Sequence, residues 1–248
     1  MRAFLLRFIQ APSRRATIRV PAENKHDYLF LFGLIQRVRR LAQAYLALRR
    51  VGFANEGDIL VRSALEHAVA AQWAYLAPGG MDRLHISLAR AQADLASNMI
   101  GYSSDPEWAA REKELRASIP AGRGLPKFSG RQGIMADLDS VKFLAVSYSV
   151  LSQVGHVTHQ APLDHVVEID GIVTLRTVPE ARENQEVLYA LTGFCMLAAW
   201  LSARLEDDAV EILRLKDLSV QLHVPWRLDT HLPAARRRFP GEDNGAGE

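Results

Sequence analysis

The sequence predicts an all-α protein, a helical bundle of five to seven helices carrying one small β-hairpin. Three observations lead there. Apolar residues recur every three or four positions through several long stretches, and short glycine- and proline-containing breaks separate those stretches. Only one segment, HVVEIDGIVTLRT around Asp170 and Gly171, alternates apolar and polar residues in the strand manner.

Residues 1–22 hold five arginines and no acid in MRAFLLRFIQAPSRRATIRV, and read as a basic N-terminal arm, with Ala16–Val20 as a short candidate strand. From Glu23 to Val51, Leu31, Leu34, Ile35, Val38, Leu41, Tyr45 and Leu48 share one helical face. Arg37, Arg39, Arg40, Arg49 and Arg50 run along the same segment as its solvated face. The turn before Asn55 then opens a central helix that stops at Pro78-Gly79-Gly80. Met81–Gly101 and Asp105–Ser118 follow as helices, the second so charged that it belongs at the periphery.

Ile119–Gly133 carries four glycines, two prolines and three basic residues, which marks a loop. It has no GxxxxGK[ST] and no GxGxxG, so a phosphate cradle is not indicated. A further helix runs from about Asp137 to His159. The Asp170-Gly171 pair is the signature of a two-residue hairpin turn, and an isolated hairpin is marginal unless it lies on the bundle. Glu180 to about Leu205 is a core helix, and Asp207 to Leu222 is amphipathic. Residues 225–248 form a tail, disordered from about Leu232, with the basic triplet Arg236-Arg237-Arg238. Residues 23–224 thus make a single bundle domain.

Net charge is +2, too mild to argue for nucleic acid or a membrane from the balance alone. The single cysteine, Cys195, rules out an intramolecular disulfide and sits in an apolar run as inert core. No signal peptide is convincing, because Arg7 interrupts the apolar patch at Phe4–Leu6. The uncharged run Val187–Ala203 barely spans a bilayer and reads as a buried helix. A cytoplasmic protein that does not enter a membrane is expected.

One polar cluster stands out. Ile59, Arg62, Glu66, Val69, Trp73 and Leu76 fall on one stripe of the central helix, so a guanidinium and a carboxylate are expected among apolar side chains. Buried charges must pair. The best partner segment is Ser147–His159, in which Tyr148, Ser152 and His156 recur every four residues beside Gly155. If the two helices face each other, Arg62, Glu66 and His156, supported by Tyr148 and Ser152, form one hydrogen-bonded site. Such a site is either a structural network fixing helix register or a catalytic one, with His156 as general acid/base and Arg62 as stabiliser of phosphorane charge.

The segments RSALEHAVAAQWAYL at Arg62–Leu76 and YSVLSQVGH at Tyr148–His156 resemble a widespread bacterial all-helical family known as a domain of unknown function. They are also similar to HEPN-type helical bundles, many of which are metal-independent ribonucleases of toxin and antiphage systems. The resemblance covers about residues 25–205 and carries Arg62, Glu66, Ser152 and His156 as the family's polar positions. It implies RNA or another anionic ligand as partner. The alternative class is a non-catalytic interaction module, with a homodimer as its assembly. The HEPN spacing of arginine, four to six residues and histidine occurs at Arg62/His67 and at Arg19/His26. With 25 arginines and 8 histidines in 248 residues, roughly two matches arise by chance, so this spacing has no weight.

A metal reading would use Glu66, His156 and His159, with His165 or Asp164. No HExxH is present, and Arg62 beside Glu66 repels a cation, so neither a resident metal nor a cofactor is expected. Ser152 lacks the GxSxG elbow of a serine hydrolase.

Overall fold

The computed structural model describes residues 1–10, 24–103, 105–119, 134–135, 142–155, 165–176 and 185–228. Among these are eight helices and one antiparallel hairpin, in the order α1 (Arg2–Gln10), α2 (Lys25–Arg50), α3 (Ala54–Leu76), α4 (Gly80–Tyr102), α5 (Glu107–Ser118), α6 (Phe143–Gly155), β1 (Val166–Ile169), β2 (Ile172–Leu175), α7 (Gln185–Leu205) and α8 (Ala209–Leu222). The chain is an all-α bundle with a small hairpin, as its periodicity requires.

α3 is the hub. It packs against α2, α4, α6 and α7, burying Val61, Ala64, Leu65, Ala68, Val69 and Trp73. Its small alanines let neighbouring helices approach closely. α7 is the other core helix. Nearly every residue from Val187 to Ala203 is buried, because α1, α2, α3 and α8 cover it from several sides. The uncharged composition of that run reflects this burial, at roughly 1.5–3 kcal/mol for each large apolar side chain withdrawn from water. Cys195 lies fully inside, and burial pushes its thiol pKa well up.

α2 buries Leu31, Ile35, Val38, Leu41 and Tyr45, the face its spacing predicts. Its arginines are not all on the solvated side. The Arg39 guanidinium lies 5.1 Å from the Phe8 ring centroid, and Arg49 donates to Tyr45 Oη at 3.3 Å. α5 buries nothing and is peripheral, as its charge predicts.

Three expectations are corrected. Residues 2–10 are not a loose arm: α1 is a helix whose Phe4, Leu5 and Phe8 enter the main core. Spacings of one and four residues place those three on one side, while Arg2 and Arg7 point outward. The rest of the expected arm, including Ala16–Val20, lies outside the described residues. Second, Ile59 is exposed, because the buried face of α3 is centred on Val61, Leu65 and Ala68. Arg62 and Glu66 therefore sit at the border of the core. Third, packing does not stop at residue 224, where the sequence ends the domain: the first residues of the tail lie on the bundle. Val224 and Leu228 are buried, and Trp226 meets Trp200 edge-on with centroids 6.5 Å apart.

The hairpin turns where Asp170-Gly171 predicts. Asp170 has φ 52° and Gly171 φ 76°, so both central residues occupy the left-handed region that a two-residue turn of matching twist demands. Ile169 pairs with Ile172 and Val166 with Leu175. All of β2 is exposed, so its residues do not lie on the bundle as expected. The Phe143 ring of α6 rests against Gly193 of α7: a Cβ there would fall 2.7 Å from Phe143 Cζ.

Candidate functional site

α3 and α6 do face each other, and they bring Arg62 to Tyr148. The Arg62 Nη2 donates to Tyr148 Oη at 3.0 Å, and the guanidinium carbon lies 5.0 Å from the Tyr148 ring centroid. On its own helix Arg62 Nε is 3.6 Å from Glu66 Oε1, one turn along. The side chains of Arg62 and Glu66 are 15% and 24% exposed, so water reaches one edge of the cluster. The meeting follows from local sequence. Leu144, Ser147 and Leu151 seat α6 in the bundle, and Tyr148, next to Ser147 on the helix, lies at the rim of that seat.

Ser152 joins less fully. Its hydroxyl donates to Tyr148 O at 2.6 Å, a bond back to its own helix. His156 lies outside the described residues, one position beyond the end of α6. His159 and Asp164 of the metal reading also lie outside them. His165 is in the hairpin, where its Nδ1 is 3.1 Å from Arg176 O. His67 Nδ1 lies 2.7 Å from Ser63 O, a contact to its own helix, whereas Arg62 turns to Glu66 and Tyr148. No family model, no curated protein and no solved structure matches this chain.

Two further polar constellations were not legible as sites in the sequence. The first is Gln72, fully buried in α3. Its Nε2 donates to Leu197 O at 2.9 Å, and its Oε1 accepts from Leu228 N at 3.1 Å. One amide thus joins α3, α7 and the segment after α8. A lone glutamine among alanines was the available signal.

The second is His26, Asp27 and His85, where the start of α2 meets α4. One donor atom from each of the three lies within 4.8 Å of the others. His85 Nε2 and Asp27 Oδ1 are 3.6 Å apart, beyond hydrogen-bonding distance. The Nε2 atom is sealed from solvent without a hydrogen-bond partner. Rings of Phe30 and His26 flank His85 at 4.8 and 4.9 Å. Burial, with His26 beside it, holds the His85 pKa below its usual range, against the opposite pull of Asp27 and Asp82.

A small cavity of about 60 Å³ between α1, α2, α7 and α8 is lined by Arg7, Arg39, Arg214, Glu206, Asp208 and Glu211. Two of its cations meet one carboxylate, Glu211. Arg214 grips Glu211 with two nitrogens, Arg7 adds a contact at 3.7 Å, and Ser202 donates to Glu206. Asp208 caps α8 through Glu211 N. Most of the lining polar groups are thus engaged with one another.

Proposed function

We propose that this chain is a cytoplasmic, non-catalytic interaction module, in which Arg62, Glu66 and Tyr148 form a structural polar network that sets the register of α3 against α6. The observation that carries this reading is the engagement of Arg62: its guanidinium is spent on a carboxylate and a phenol within the protein, rather than aimed at open space. Charged groups held in this way specify how helices align. A second copy of the chain is the partner in this reading. Ile172, Val173 and Leu175 are exposed on β2, and β1 and β2 pair only with each other among the described residues. An open apolar edge is a template for strand pairing, and a two-fold axis satisfies it with a second identical edge.

The alternative is a HEPN-like, metal-independent ribonuclease of a toxin or antiphage system, with His156 as general acid/base and Arg62, assisted by Glu66, at the phosphate. What favours it is the partly open edge of the cluster, where a phosphate could reach Arg62 beside Tyr148 Oη. The two readings separate when purified protein and His156→Ala are incubated with total RNA in EDTA. Intact RNA with both proteins, together with a lower unfolding midpoint for a separate Arg62→Ala protein, supports the structural module. Cleavage by the wild type that disappears in the variant establishes the nuclease and removes the non-catalytic reading.

A further inference from the structure

We propose that His26, Asp27 and His85 form a binding site for one divalent first-row transition-metal ion, of which Zn²⁺ is the best fit. The donor set is two imidazoles and one carboxylate, a mix that zinc and its neighbours take, whereas calcium and magnesium prefer all-oxygen sets. Tetrahedral donors on bonds of 2.0–2.1 Å stand about 3.3 Å apart. His85 Nε2 and Asp27 Oδ1, at 3.6 Å, are already close to that spacing. No two of the three donor atoms are more than 4.8 Å apart, so closure asks for a movement of at most about 1.5 Å, within reach of side-chain torsions.

The environment of His85 points the same way. A buried imidazole nitrogen with no partner costs free energy, and coordination would satisfy it. The amino end of α2 opposes a cation through its dipole, and Asp27 together with Asp82 in the first turn of α4 offsets that field. Three protein donors leave at least one coordination position for water or a small ligand, as in open zinc sites. Such an ion would also pin the start of α2 to α4.

The test uses full-length protein stripped with a chelator and titrated with Zn²⁺ against a chromophoric competitor, and separately with Co²⁺. The expected result is one equivalent of Zn²⁺ per chain at micromolar affinity or tighter, and a visible Co²⁺ band of tetrahedral intensity that Zn²⁺ abolishes. His26→Ala, Asp27→Asn and His85→Ala should each weaken binding by about ten-fold or more, whereas His223→Ala should not. Far-UV circular dichroism checks that the variants fold. Should His85→Ala be unstable, Asp27→Asn, which keeps the side-chain shape, carries the comparison. No stoichiometric uptake by the wild type overturns the site. Uptake that persists unchanged in folded Asp27→Asn and His26→Ala overturns it equally, because the ion would then sit elsewhere.

Discussion

Arg62 and Tyr148 are 86 positions apart in the chain, yet the guanidinium of one donates to the phenol oxygen of the other at 3.0 Å. The bond bridges α3 and α6 at the edge of the core. Tyr148→Phe should lower stability by about 1.5–3 kcal/mol, the range for a hydrogen bond to a charged group. Arg62→Ala should cost more, since it also strips Glu66 of its charged neighbour. Urea unfolding of both variants and of the double variant gives the coupling, expected at about 0.5–2 kcal/mol. Strict additivity would show that the bond contributes nothing.

Gln72 should be less tolerant than its neighbours. Gln72→Leu keeps the bulk but leaves the buried Leu228 N–H unbonded, at a cost of about 1–3 kcal/mol. Hydrogen exchange should then quicken at residues 224–228 before it quickens in α7. Equal acceleration in both would mean that the amide is not a local clasp.

Gly193→Ala is expected to destabilise by about 1–3 kcal/mol through overpacking against Phe143. Adding Phe143→Leu should recover part of the loss, because the intruded ring is then gone. Thermal midpoints of the single and double variants measure this directly, at roughly 2–4 °C per kcal/mol for a chain of this size.

Burial raises the Tyr45 pKa above its ordinary 10.0, and the hydrogen bond from Arg49 only partly opposes it. In the window between the unfolded and folded values the native state holds a proton that the unfolded chain has lost. The stabilisation is therefore complete below about pH 10 and fades as pH rises through the folded value. Thermal midpoints should fall on the alkaline side of about pH 10, and more shallowly in Tyr45→Phe.

If β2 is the edge through which two copies meet, Val173→Lys should convert a dimer to a monomer without changing the helical signal. Light scattering after size exclusion reads the mass. A wild-type monomer at high concentration removes the homodimer.

Much of the bundle was legible because helical spacing is a strong local signal. The α2 face from Leu31 to Tyr45 and the Asp170-Gly171 turn stand where the pattern places them, and so does the buried run of α7. α1 was not legible, since five arginines in twenty residues mask three apolar side chains that matter only once α2 and α7 are there to receive them. The cluster was half legible. Four-residue spacing brought Tyr148 to the correct face of α6, but it could not say that Ser152 would bond to its own helix. His26, Asp27 and His85 were invisible for a different reason: no periodicity links the first turn of α2 to the second turn of α4, and only folding makes them neighbours.

The edge-on meeting of Trp200 with Trp226 gives the molecule a built-in optical gauge. One indole belongs to the innermost helix and the other to the strip that follows α8, so release of that strip would alter tryptophan emission without any attached label. Trp108, out on α5, would act as a near-constant background. A stopped-flow trace of native fluorescence could thus time the departure of the carboxyl-terminal strip separately from the melting of the helices.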